Sequence, residues 1–167
     1  MPPPTDKDLA TAAADLGGAL LALEWTLCSA ESSTAGMVGH AVTTIPGASR
    51  YYLGGVIAYS NLAKEVELGV PEDLIAAHGA VSAEVADAMA EGVRRRFDAD
   101  LAVAVTGIAG PDAKGTNKPL GLHYVAACRR GHPAAVERHV FGHDREGNRR
   151  AATLAILELA RREIDAG

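Results

Sequence analysis

A single-domain α/β/α layered fold with a mixed β-sheet is what this sequence predicts. Helix-period and strand-like segments interleave over most of the chain, the pattern that gives parallel strands with helical crossovers. Two later strand-like runs flank a short turn, which adds an antiparallel hairpin and makes the sheet mixed. Hydrophobic residues make up 48% of the 167, enough for one sizeable core and far from a disordered composition.

The elements follow in order. Met1–Pro4 is proline-rich and expected to be disordered. Thr5 is placed to cap a helix running to about Glu24, with Leu9, Ala13, Leu16, Leu20 and Leu23 at helical spacing. Trp25–Ala30 reads as a buried strand, and Gly36–Thr44 as a helix stopped by Pro46–Gly47. Gly54–Tyr59 is a second strand, Asn61–Leu68 a short helix ended by Gly69, and Pro71–His78 another with proline in its first turn. Ser82 opens a helix to Phe97 whose apolar stripe is Val85, Met89, Val93 and Phe97. Leu101–Thr106 is a short apolar strand, expected to be central, and Gly107–Pro119 a loop. Leu120–Arg129 and Ala134–Phe141 form the hairpin, and Asp144 caps a last helix to about Ile164. No repeat or linker divides the chain, so residues 1–167 are read as one domain.

Charge and cysteine content narrow the function. The net charge is −5 and no basic run exceeds Arg94–Arg96, which suits a helix end better than a nucleic-acid surface. Cys28 and Cys128 lie in apolar strand-like runs and read as buried free thiols, in keeping with a reducing compartment. The N-terminus lacks the layout of a signal peptide, and no apolar run is long enough to span a bilayer. A cytoplasmic protein with no membrane or nucleic-acid partner is expected. The six histidines show no paired zinc-ligand spacing, so no metal site is expected.

Two stretches carry chemistry. Ala30–Glu31–Ser32–Ser33–Thr34–Ala35–Gly36 falls where a strand gives way to a helix, which puts the Ser32 hydroxyl beside a row of free backbone N–H groups. Ala58–Tyr59–Ser60–Asn61–Leu62–Ala63–Lys64 closes the second strand and ends on a lysine. A serine at such a turn and a desolvated lysine are the minimum set for a Ser/Lys amide hydrolase. Taken by itself, the local sequence favours a plain helix cap for Ser32 and a surface position for Lys64. Thr106–Gly107–Ile108–Ala109–Gly110–Pro111 follows a buried strand, and its glycines allow a close ligand approach or simply a tight turn. It is neither a Walker loop nor a dinucleotide fingerprint.

These stretches, with His78–Gly79–Ala80–Val81–Ser82, resemble the CinA C-terminal domain family, whose pattern runs A-E-S-C-T-G-G, G-G-V-x-x-Y-S-N-x-x-K, H-G-A-V-S, V-T-G-I-A-G-P. The match extends from about Leu23 to about Leu159. The family's enzymatic members are nicotinamide mononucleotide amidohydrolases. The resemblance implies a stand-alone domain with Ser32 as nucleophile, Lys64 as base and Tyr59 as proton relay or orienting group. Ser33, Thr34, Ala35 and Gly36 would hold the oxyanion, and Asn61, Thr106, Gly107 and Gly110 would line a nucleotide pocket. Arg145 and Arg149, one helical turn apart after Asp144, would share a face and clamp a phosphate, or else form surface ion pairs. The substrate would be a small nucleotide, with no cofactor and with self-association into a homo-oligomer.

The chain departs from the pattern at three places. Ser33 stands where cysteine is frequent, Ala35 replaces the first glycine of the pair, and His143 replaces the glycine before Asp144–Arg145. Ala35 is strained if that position needs a positive φ and favourable if it is helical. The alternative to an enzyme is a non-catalytic nucleotide-sensing module, in line with the family's association with competence and DNA damage.

Overall fold

A computed structural model describes residues 1–166. The elements are α1 (Asp6–Leu23), β1 (Leu27–Glu31), α2 (Met37–Thr43), β2 (Tyr52–Ile57), α3 (Asn61–Leu68), α4 (Glu72–His78), α5 (Ala83–Phe97), β3 (Leu101–Gly107), β4 (Leu122–Arg129), β5 (Ala135–Val140) and α6 (Arg145–Asp165). The strands form one five-stranded sheet in the order β2-β1-β3-β4-β5. β1 runs parallel to both β2 and β3, while β3–β4 and β4–β5 are antiparallel. The mixed sheet is as the alternation of segments predicts.

Strand periodicity divides the core into two layers. Leu101, Val103 and Val105 of β3 face a cluster that includes Leu16 and Leu20 of α1, Val38 and Val42 of α2, and Ile156 of α6. Ala102 and Ala104 face the other way, toward Leu68 of α3, Ile75 of α4, and Val85, Met89 and Val93 of α5. The small alanines on this second face let α5 pack close. Truncating Leu20 or Met89, both fully buried, would cost about 2–5 kcal/mol through transfer and cavity terms.

Element ends differ from the sequence expectation for identifiable reasons. Thr5 caps α1 through a reciprocal pair with Asp8, and Glu24 terminates it at φ 57°. Trp25 N–H then returns to Leu20 O at 3.0 Å, so the strand starts at Leu27 rather than Trp25. It also runs one residue further, to Glu31. β2 ends at Ile57, not Tyr59, because the Ala58 and Tyr59 carbonyls turn toward Lys64. Helix α2 begins only at Met37, since Ala35 and Gly36 both have positive φ, 46° and 99°.

The carboxyl ends of the parallel strands β1, β2 and β3 converge, with Glu31, Ile57 and Gly107 as their last residues. Such an edge is where ligands bind in open α/β sheets.

Candidate active site

Ser32 follows β1 directly and is held by its own N–H, which donates to Val105 O of β3 at 3.0 Å. Lys64 lies in α3, a helix capped by Ser60 and closed by Gly69. Its side chain points inward and is 1% exposed. Nζ lies 3.0 Å from Ser32 Oγ, 3.0 Å from Ala58 O and 3.1 Å from Tyr59 O. Among the described residues no carboxylate forms a salt bridge with it. Burial lowers its pKa from 10.5 to about 8.

This three-way setting has a chemical consequence. A neutral amine has two N–H groups and one lone pair. The two carbonyls can only accept, so they take the two N–H groups and leave the lone pair facing the hydroxyl. Ser32 can then donate its proton to Lys64.

The turn after Ser32 is organised by Glu31, a residue the sequence reading left without a role. Its buried carboxylate accepts from Thr34 Oγ1 at 2.7 Å and from the N–H groups of Gly36, Val38 and Gly39, each at 3.0 Å. Four donors converge on one anion, and the start of α2 is thereby filled. The expected row of oxyanion donors shrinks accordingly. Gly36 N–H belongs to Glu31, and Ala35 N–H donates to Ser32 O at 3.2 Å. Among the described residues, none accepts from the N–H of Ser33 or Thr34. Of these two, Ser33 lines the pocket.

The pocket has a volume of about 290 Å³ and contains Ser32, Ser33, Tyr59, Asn61, Lys64, Thr106, Gly107, Gly110 and Arg145 along its wall. Nine of the sequence-predicted site residues therefore meet at one place. Asp112, Lys114 and Thr116, from the loop after β3, join them, although nothing in their local pattern singles them out.

Several individual roles need correction. Tyr59 is 60% exposed, and its hydroxyl accepts from Arg145 at 3.3 Å rather than meeting Ser32. Its backbone carbonyl, not its ring, touches Lys64. Thr106 spends its hydroxyl on Ala80 O at 2.8 Å, which ties β3 to the start of α5. Gly107 is a glycine because of His123: a Cβ there would lie 2.1 Å from the imidazole Cδ2. His123 is fully buried, with Nδ1 3.0 Å from Gly121 O. The two arginines do not converge. Arg145 reaches Gly110 O and Tyr59 at the pocket wall. Arg149 lies outside the pocket lining and grips the carbonyls of Ser33 at 3.0 Å and Thr34 at 2.9 Å, with Glu146 as its ion partner. It holds the turn after Ser32 from behind.

The family model for the CinA C-terminal domain matches residues 9–164. The chain belongs to the CinA C-terminal domain family. Among its relatives is a CinA-like protein of Gemmatimonas aurantiaca, 52% identical over 136 residues that make up 81% of this chain and 32% of that one. A CinA-like protein of Salinibacter ruber is 46% identical over 158 residues, 92% of this chain and 37% of its own. The chain thus spans about a third of the length of the curated relatives it matches. A crystal structure of a CinA superfamily protein from Klebsiella pneumoniae superposes with TM-score 0.92 at 28% identity, covering 95% of this chain and 99% of that one. A competence/damage inducible protein from Agrobacterium tumefaciens gives TM-score 0.87 at 35% identity over 90% and 92%.

The departures from the CinA pattern can now be placed. Ala35 sits at φ 46°, the left-handed region where its Cβ is strained and glycine would not be. Ser33 Oγ is buried without a hydrogen-bond partner, so it behaves as a small filler much as a cysteine would. His143 contributes its backbone N–H to Asn148 Oδ1 at 3.0 Å, a contact any residue except proline could make. Asn148 in turn donates to Ala109 O at 2.9 Å and locks α6 to the loop after β3.

No helix among the described residues is long and apolar enough to cross a membrane. Among the same residues, no group of three or more His, Cys, Asp or Glu is arranged to hold a metal ion.

Proposed function

We propose that this domain is an amidohydrolase that cleaves the carboxamide of nicotinamide mononucleotide to nicotinate mononucleotide and ammonia, as part of pyridine-nucleotide recycling. The observation that carries the reading is the buried Lys64 amine 3.0 Å from Ser32 Oγ, with its remaining valences on two carbonyls. With a pKa of about 8, roughly a tenth of Lys64 is neutral at pH 7; at the ordinary value the fraction would be about 300-fold smaller. A pure binding module has no need of a desolvated lysine on a serine hydroxyl, which weighs against the sensing alternative. Arg145 and Lys114 at the pocket wall suit an anionic substrate.

In the reaction, Ser32 Oγ attacks the amide carbon while its proton passes to Lys64 Nζ. The oxygen of the tetrahedral intermediate takes a hydrogen bond from the unspent N–H of Ser33 at the pocket wall. Lys64 returns the proton to the departing ammonia. A water molecule, deprotonated by the same amine, then cleaves the acyl-enzyme ester and frees Ser32.

The test is ammonia release from nicotinamide mononucleotide by the purified protein, beside Ser32→Ala and Lys64→Ala, with and without a chelator. Turnover lost in both variants and indifferent to chelator supports the mechanism. Turnover that survives in Ser32→Ala sinks it, and nucleotide binding without turnover moves the assignment to a sensing module.

A further inference from the structure

Two parts of the pocket wall come from irregular segments far apart in the chain. The turn between α4 and α5 contributes Ala80 and Val81, and the loop after β3 contributes Asp112, Lys114 and Thr116. Side chains hold the turn. Its four successive carbonyls each accept from one: His78 O from Lys118 Nζ at 2.6 Å, Gly79 O from Ser82 Oγ at 2.9 Å, Ala80 O from Thr106 Oγ1 at 2.8 Å, and Val81 O from Lys118 Nζ at 2.5 Å. Ser82 and Thr106 fix the turn to the start of α5 and to β3. Lys118 alone reaches it from the loop.

The loop depends on that contact. Among the described residues, every hydrogen bond made by residues 111–117 stays within 111–118. The stretch is anchored only at its ends, at Gly110, whose carbonyl accepts from Arg145, and at Lys118. The site that receives Lys118 is suited to a cation. His78 is the last residue of α4, where the carbonyls lack helical partners and carry the negative end of the dipole. Gly79 leaves room for it: a Cβ there would lie 2.8 Å from Lys118 Nζ.

We propose that Lys118 is a positioning residue, an inference that rests on the amidohydrolase reading. By tying the loop after β3 to the turn before α5 it presets the shape of the pocket for the nucleotide. Without the tie, the substrate itself would have to order residues 111–117. The entropy lost in doing so weakens binding, whereas a wall already in place leaves that cost to folding. The contacts of Lys64 with Ser32, Ala58 and Tyr59 involve neither segment, so the proton transfer is untouched. Lys118 thus acts on KM and not on the chemical step. The two buried or half-buried lysines divide the work: each holds two carbonyls of a turn, but only Lys64 has a hydroxyl as its third neighbour.

Steady-state kinetics with nicotinamide mononucleotide test this on Lys118→Met, which removes the donors, and on Lys118→Arg, which keeps them. Lys118→Met should raise KM at least ~10-fold with kcat within ~3-fold of wild type, and Lys118→Arg should recover most of the loss. A merely structural role would lower the active fraction, so kcat would fall and KM would stay. Calorimetric titration of the same nucleotide into Ser32→Ala, with and without Lys118→Met, should show the ~10-fold weakening in the absence of turnover. An active wild type whose KM is unchanged in Lys118→Met, or a loss of kcat alone, overturns the inference and leaves the amidohydrolase reading standing. So does a Lys118→Met protein that circular dichroism shows unfolded, because a tie on one loop does not hold the core. A wild type that neither binds nor turns over the nucleotide overturns both.

Discussion

Replacing Lys64 by methionine should make stability respond differently to pH. In the folded protein the amine has a pKa of about 8, against 10.5 when exposed. Between those values the unfolded chain binds more protons than the native one, so wild-type stability rises with pH across this window. Below pH 8 burial of the amine costs a constant ~3 kcal/mol relative to an unshifted lysine. From pH 7 to pH 10 about 2–3 kcal/mol of that cost should vanish in the wild type and be absent from Lys64→Met. The offset between the two proteins at any one pH is less informative. Methionine also strands the carbonyls of Ala58 and Tyr59, at about 1–3 kcal/mol each. The slope is free of that contribution, because the stranded carbonyls do not titrate. Urea denaturation of both proteins at half-unit steps from pH 6.5 to about 10 reads it. Stability curves that stay parallel would show that Lys64 titrates normally in the fold. The neutral-base argument would then fail, however close the amine lies to Ser32. The wild-type rate should rise with pH through an apparent pKa near 8 and level off above it.

Three further outcomes follow from the site. Ala35→Gly should relieve the left-handed strain and stabilise the protein by about 1 kcal/mol, seen as a melting temperature about 3 °C higher. Glu31→Gln turns one acceptor oxygen into a donor facing the N–H groups of α2, and should cost about 2–3 kcal/mol in urea melts while lowering kcat. Arg145→Ala should raise KM for the nucleotide about 10- to 100-fold, whereas Arg149→Met should act mainly on kcat, because it releases the carbonyls of Ser33 and Thr34 rather than a ligand contact. Equal effects of the two arginine variants on KM would refute the division of labour.

Much of this architecture was legible from pattern alone. The short apolar run Leu101–Thr106 and the stripe Val85–Met89–Val93 were enough to place a central strand under a packed helix. Ser32 and Lys64, separated by 32 positions, were brought together by the resemblance; in the fold β1 and β2 lie side by side and the chain turns into α3. What local sequence could not give was direction. Arg145 and Arg149 do share a helical face, but one turn of rise puts the first at the pocket wall and the second behind the turn after Ser32. Gly107 looked like a ligand approach because the residue that requires it, His123, arrives from a different strand. Glu31 has no role legible in the local sequence, since nothing there reveals that three amides and a hydroxyl will gather on it. Its only signal is an acidic residue five to eight positions before the amides at the start of α2.

The fit between Gly107 and His123 also constrains how the domain can drift. A methyl group at 107 would overlap the imidazole, which is wedged against Phe141 with ring centroids 5.5 Å apart. The overlapping ring is fully buried and has little room to retreat. The order of change is therefore fixed: position 123 has to shrink before position 107 can grow. A lineage that replaces the histidine first gains freedom in the strand that ends at the pocket, while one that keeps it carries an obligatory glycine there.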